Sequence, residues 1–205
     1  MSESVIFCEG YHDRAFWAGW LLRLGCTDPG EQPGKAHRMP VSDPWGTEVR
    51  GGHFAFRAPG GGFLKIVPCH GKPNVRSAAR VRLKGRADRK LNRLVISVDS
   101  DAPAPVGKQP ASALTMQSLE TLLREFGEPQ ITAEGDFAID GGATLASLVA
   151  WQAADDPIPG LPDQQTLERV VCAAIVAAHP LRGPAVGDWL VSRPQAPQAG
   201  PKEFG

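Results

Sequence analysis

The chain has 205 residues, 42% hydrophobic and 21% charged, with 22 basic and 22 acidic side chains. This composition suits one globular core with room for a small insertion, and the balanced charge argues against a general nucleic-acid coat. No apolar run approaches the roughly 20 residues needed to span a bilayer, and the opening Met-Ser-Glu-Ser lacks a positive leader, so a cytoplasmic location is expected.

Residues 4–9 predict the first strand: Val5-Ile6-Phe7-Cys8 is apolar and stops at Glu9. Residues 13–24 carry Phe16, Trp17, Trp20, Leu21 and Leu24 at helical spacing, and Gly25 ends that helix. Residues 27–62 hold eight glycines and five prolines, which predicts an irregular excursion. Within it, residues 53–57 and 63–67 flank a Pro-Gly-Gly-Gly turn and read as a hairpin, whose second arm continues as a core strand. A helix is expected from Asn74 as N-cap to Gly85, with Arg76, Arg80 and Lys84 on one face. Residues 94–98 form the strand before Asp99-Ser100-Asp101. A Pro-rich loop follows at 102–110, then a helix over 114–126 and a short strand over 137–140. Residues 143–153 fit either a helix or a strand. After a Pro-rich turn at 155–162, residues 165–178 predict a helix with an apolar face at Leu167, Val170, Val171, Ala174 and Ile175. A short helix over 185–192 and a flexible tail over 193–205 close the chain. One domain is therefore expected over residues 1–192. Its fold class is α/β, a mostly parallel central sheet of about four strands flanked by helices, or five to six if the hairpin joins.

Two apolar strands that end in carboxylates matter most. In open α/β sheets ligands bind at the carboxyl edge, and acids gathered there repel unless a cation joins them. Oxygen ligands favour Mg²⁺, with Mn²⁺ an alternative, over zinc. Asp99 and Asp101 at i and i+2 project to one side of an extended chain and can reach one cation. Asp13, four residues past Glu9, can point back to the same edge. Each acid also has a plainer reading, as a helix-start or turn residue. The four cysteines, at positions 8, 26, 69 and 172, show no metal-ligand spacing, and Cys69-His70 alone cannot complete a zinc site.

Glu9-Gly10-x-x-Asp13 followed by Asp99-x-Asp101 resembles the Toprim domain of topoisomerases, bacterial primases, recombination mediators and overcoming-lysogenization-defect nucleases. Residues 66–75, with Gly71-Lys72, are similar to a strand and turn of small stand-alone Toprim proteins. The resemblance covers roughly residues 4–180. It implies a Toprim-like Rossmannoid fold and metal ligands at Glu9, Asp13, Asp99 and Asp101, with Glu9, Asp99 and Asp101 catalytic. Thr166-Leu167-Glu168 resembles the later Ser-x-Glu of the nucleases and adds Glu168 to the ligand set, against the plain reading of a solvated helix residue. The expected function is a Mg²⁺-dependent nuclease or related phosphoryl-transfer enzyme on DNA or RNA. The alternative is a non-catalytic Toprim scaffold in a repair or phage-defence assembly.

Haloacid-dehalogenase phosphatases also use Asp-x-Asp, but Pro103 stands where their motif has Thr or Val. The only tyrosine, Tyr11, lies inside the motif, which disfavours covalent cleavage of the topoisomerase kind. The chain has no P-loop, so any ATPase is a separate partner. Between residues 72 and 93 lie nine basic residues opposed only by Asp88. Lys72, Arg76, Arg80 and Lys84 are the candidate phosphate contacts, the plainer reading being a solvated face. Trp17 and Trp20 read as core residues rather than stacking platforms.

Overall fold

Val5-Ile6-Phe7-Cys8 and Leu94 to Val98 are almost entirely buried, so these runs need cover on both faces, and a parallel sheet between helices supplies it. The computed structural model describes residues 2–31, 39–49, 54–88, 90–101, 111–152, 165–180 and 185. In chain order the elements are β1 (Glu3–Cys8), α1 (Tyr11–Arg23), β2 (Val41–Ser42), β3 (Glu48–Val49), β4 (Ala55–Arg57), β5 (Phe63–Pro68) and α2 (Lys72–Lys84). There follow β6 (Leu91–Asp99), α3 (Ala111–Arg124), β7 (Gln130–Ile131), β8 (Phe137–Ile139), β9 (Thr144–Trp151) and α4 (Leu167–Ala178).

Seven strands form one mixed sheet in the order β4-β5-β1-β6-β9-β8-β7. The central four, β5, β1, β6 and β9, are parallel, with antiparallel strands outside them. The expected α/β class and parallel centre are present, and the sheet is larger than the four to six strands expected. Strand β8 falls within the short strand expected over 137–140, whereas β7, two residues long, is too short to stand out as an apolar run. The ambiguous segment 143–153 is strand β9, whose register sets Trp151 beside Asp99.

Alternation along β1 divides the core. Val5 and Phe7 pack with Val75, Ala79 and Leu83 of α2 and Leu119, Leu122 and Leu123 of α3. Ile6 and Cys8 pack with Ala18 and Leu21 of α1, together with Phe56 and Ile66. The chain thus leaves β1 toward one face of the sheet and leaves β5 toward the other. This change of side makes the crevice between β1 and β6 a switch point, where α/β sheets hold ligands.

Helix α2 begins earlier than expected. Gly71 is its N-cap, at a φ of 110° that favours glycine, and Pro73 fits the first turn. Asn74 is therefore inside the helix, where its amide donates to the His70 carbonyl at 3.1 Å. On α4 only Leu167 of the expected apolar face is fully buried, and Ile175 is 45% exposed. No helix among the described residues is long and apolar enough to cross a membrane. The loop 102–110, the turn 155–162, the helix 185–192 apart from residue 185, and the tail 193–205 lie outside the described residues.

Candidate acidic site at the sheet edge

Glu9 follows the last residue of β1, and its Oε1 accepts the Asp99 amide at 2.8 Å across the switch-point crevice. The next strand is tied in as well, because the Gly71 amide donates to the Glu9 carbonyl at 3.0 Å. Asp13 sits in the first turn of α1, where its Oδ2 accepts the Gly10 amide at 2.9 Å. That is the helix-start role foreseen as its plain reading. It leaves Asp13 Oδ1 buried with no hydrogen-bond partner among the described residues, on a side chain only 7% exposed. A cap at a solvated helix start has no need of such burial.

Asp99 ends β6, and its Oδ1 accepts the Leu167 amide at 2.8 Å, from the first turn of α4. The edge is closed further by Asp101 and Gln165, which exchange backbone hydrogen bonds at 3.0 and 2.5 Å. The start of α4 therefore lies on the same edge as Glu9 and Asp99, as the Glu168 reading required. Thr166 caps this helix, its side chain accepting the Arg169 amide. Glu168 itself is exposed, its side chain 55% accessible, as the plain reading of a solvated helix residue has it, and it pairs with His12 Nδ1 at 3.2 Å.

Electrostatics join these groups. Burial pushes Asp99 up to about 7; the Leu167 amide opposes that rise, and the charges of Asp13, Glu9 and Glu168 add to it. Burial also raises Glu9, against the bond from the Asp99 amide, and raises Asp13, where the negative charge of Glu168 contributes. Partial burial works against ionisation of Glu168, yet its own amide, His12 and Thr166 outweigh it and hold the carboxyl below its ordinary value. Carboxylates that raise one another in this way repel, and a cation between them would relieve the repulsion.

Asp101 behaves differently. Its φ of 65° takes the backbone out of the extended path, so the i, i+2 argument for a shared side with Asp99 does not apply. Its exposed carboxylate takes the Lys72 ammonium in an ion pair. Among the described residues, no three His, Cys, Asp or Glu side chains are grouped so that they could hold a metal ion as they stand. Glu9, Asp13 and Asp99 each already hold a backbone amide, and Asp101 is turned to Lys72.

Much of the basic run is neutralised by acids distant in sequence. Arg80 forms a two-point pair with Glu125 at 2.7 and 2.6 Å. Arg86 does the same with Asp140 at 2.5 and 2.9 Å, Arg93 reaches Asp136 at 2.7 Å, and Arg82 pairs with buried Glu3. Arg76 and Lys84 have no ion pair among the described residues, although Glu125 feels the charge of both. The helical face foreseen for Arg76, Arg80 and Lys84 is present, with Glu125 set against it.

Sequence reasoning missed the anchor of the neighbouring aromatic cluster. Ser97 Oγ accepts both the Trp17 indole N–H at 3.1 Å and the Trp151 indole N–H at 2.9 Å. Phe16 meets Trp151 edge to face at 5.2 Å between ring centres. A serine inside the apolar run before Asp99 was the available signal, because a buried hydroxyl needs a partner. Lys72 as counterion of Asp101 was also within reach, since it follows a strand ending on the same edge. Comparisons of the chain with family models, with curated proteins and with solved structures find no match.

Proposed function

We propose that this chain is a Toprim-like, Mg²⁺-dependent nuclease, or a related phosphoryl-transfer enzyme acting on DNA or RNA. The observation that carries the reading is the mutual electrostatic influence of Glu9, Asp13, Asp99 and Glu168 at one sheet edge, with Asp13 Oδ1 buried and without a hydrogen-bond partner among the described residues. Carboxylate oxygens are the donor type that a hard divalent cation takes, Mg²⁺ or Mn²⁺, and binding would draw these groups together. Glu9, Asp13 and Asp99 would hold it, with Glu168 completing the set from the start of α4. A cation in that place supplies Lewis-acid polarisation of a phosphodiester and of its attacking water.

The chain's own groups have separate tasks. Glu9, which burial raises above its ordinary value, is a stronger proton acceptor than a solvated glutamate. As water attacks phosphorus, its proton passes to the Glu9 carboxylate, the bond to the leaving oxygen breaks, and that oxygen takes a proton from solvent water. Lys72, beside Asp101, is positioned to meet the negative charge of a phosphate. The test is incubation of purified protein and Mg²⁺ or Mn²⁺ with single- and double-stranded DNA and RNA. Cleavage that Asp99→Ala abolishes supports the nuclease; identical activity in Asp99→Ala rejects it.

One observation favours a second reading, a Toprim scaffold in a repair or defence assembly. Asp101, the expected partner of Asp99, is occupied by Lys72. A scaffold would leave nucleic acid uncut and act with a separate ATPase or repair protein. Cation-dependent cleavage by the isolated chain rules it out.

A further inference from the structure

The cleft between α2 and α3 lies next to the acidic edge and is lined by Lys72, Pro73, Arg76, Leu114, Thr115 and Ser118, with Leu119 at its floor. Its volume is about 330 Å³, within the range of small-molecule sites. Its lining is of two kinds. Lys72 and Arg76 supply positive charge, and Thr115 and Ser118 supply hydroxyls. Leu114 is 52% exposed, an apolar side chain left in water beside two cations. A bare inorganic anion would use the first group and leave Leu114 without a purpose. A nucleotide uses both, its phosphate on the cations and hydroxyls and its sugar and base against Leu114 and Pro73.

Arg76 differs from its neighbours in a telling way. Arg80, one turn along α2, is held by Glu125 through two hydrogen bonds, whereas Arg76 has no ion pair among the described residues. Lys72 joins the cleft to the acids, because its ammonium is bound to Asp101. We propose that this cleft is a nucleotide subsite, holding one phosphate-bearing nucleotide beside the acidic site. The inference rests on the nuclease reading above and adds the position and class of the bound unit.

The ligand is either a free mononucleotide or one nucleotide within a single strand, and the experiment separates them. Fluorescence anisotropy of a short single-stranded oligonucleotide, labelled at its 3′ end, is measured in Ca²⁺ with wild type, Arg76→Gln, Leu114→Glu and Arg80→Gln. Arg76→Gln and Leu114→Glu should each weaken binding about tenfold, and Arg80→Gln by no more than about twofold. All three side chains are partly or largely exposed, so folding is retained, and circular dichroism checks it. Competition by a nucleoside monophosphate assigns the cleft to a free nucleotide; competition by the strand alone assigns it to a nucleotide within a chain. Either result supports the subsite. Wild-type affinity in both Arg76→Gln and Leu114→Glu overturns it and leaves the acidic-site reading standing if cation-dependent cleavage persists. Absence of both binding and cleavage in the wild type overturns the two together.

Discussion

Asp13 Oδ2 caps α1 through the Gly10 amide, while Oδ1 of the same carboxyl is buried without a hydrogen-bond partner among the described residues. Burying one unsatisfied polar oxygen costs about 1–3 kcal/mol, more if it is charged. Asp99 feels the same crowding and is pushed from 3.8 to about 7. The consequence for stability has a definite sign. Below about pH 4 both folded and unfolded chains hold the Asp99 proton. From there to about pH 7 only the folded chain keeps it, so stability falls as pH rises through this window and then levels off. Thermal melting between pH 4 and 8 should show that fall, reduced in Asp99→Asn and flattened by saturating Mg²⁺. A melting temperature that rises steadily across the window in wild type and Asp99→Asn alike would contradict this account of the crowded carboxyl. None of this was visible in Glu9-x-x-x-Asp13 or Asp99-x-Asp101 as strings. The motifs located the acids, but the backbone amides they accept come from Gly10, Asp99 and Leu167, and the left-handed turn at Asp101 left no mark in the residue types.

At the scale of elements, the fold depends on buried ion pairs away from the site. Lys65 of β5 stands 2.7 Å from Glu3 Oε1 of β1 and 2.7 Å from Asp43 Oδ2, between β2 and β3. It ties the excursion hairpin to the sheet. Burial alone would raise Asp43, but Lys65 and the Thr47 and Trp45 amides outweigh it and hold the carboxyl below its ordinary value. Removing Lys65 leaves two buried carboxylates without it. Lys65→Met should cost about 3–5 kcal/mol in chemical denaturation. Arg80→Ala, which breaks an exposed pair, should cost far less. Equal losses for the two variants would mean that burial does not govern these pairs. Within the parallel centre, β1 and β6 were legible as continuous apolar runs ending in acids, and β5 as the second arm of a Gly-rich hairpin. Strand β9 was not, because Thr144-Leu145-Ala146-Ser147-Leu148 suits helix and strand alike until β6 pairs with it. The start of α2 was misplaced because Asn74 offers a cap signal, while Gly71 with Pro73 inside the first turn offers a better one.

For the whole molecule, zero net charge conceals a basic run that folding largely neutralises. Charge counting along the sequence cannot see this, because Glu125 lies 45 residues from Arg80 and Glu3 lies 79 from Arg82. On α2, Arg76 and Lys84 keep no ion pair among the described residues, while Lys72, at the end near the acids, pairs with exposed Asp101. Nucleic-acid affinity should therefore fall with salt as a few phosphate contacts require, not the nine that sequence counting suggests. Arg76→Ala should lower the slope of log affinity against log salt by about 0.7 on a single strand. A slope unchanged by that substitution would make the α2 face a solvated surface. The central claim, however, is the cation site, and Mn²⁺ binding tests it most directly. Calorimetric titration of Mn²⁺ into wild type and Asp13→Asn near pH 8, with folding checked by circular dichroism, measures it without any nucleic acid. The account expects saturable binding in the wild type, weakened at least about tenfold in Asp13→Asn. No binding in the wild type, or equal affinity in the two proteins, would contradict it.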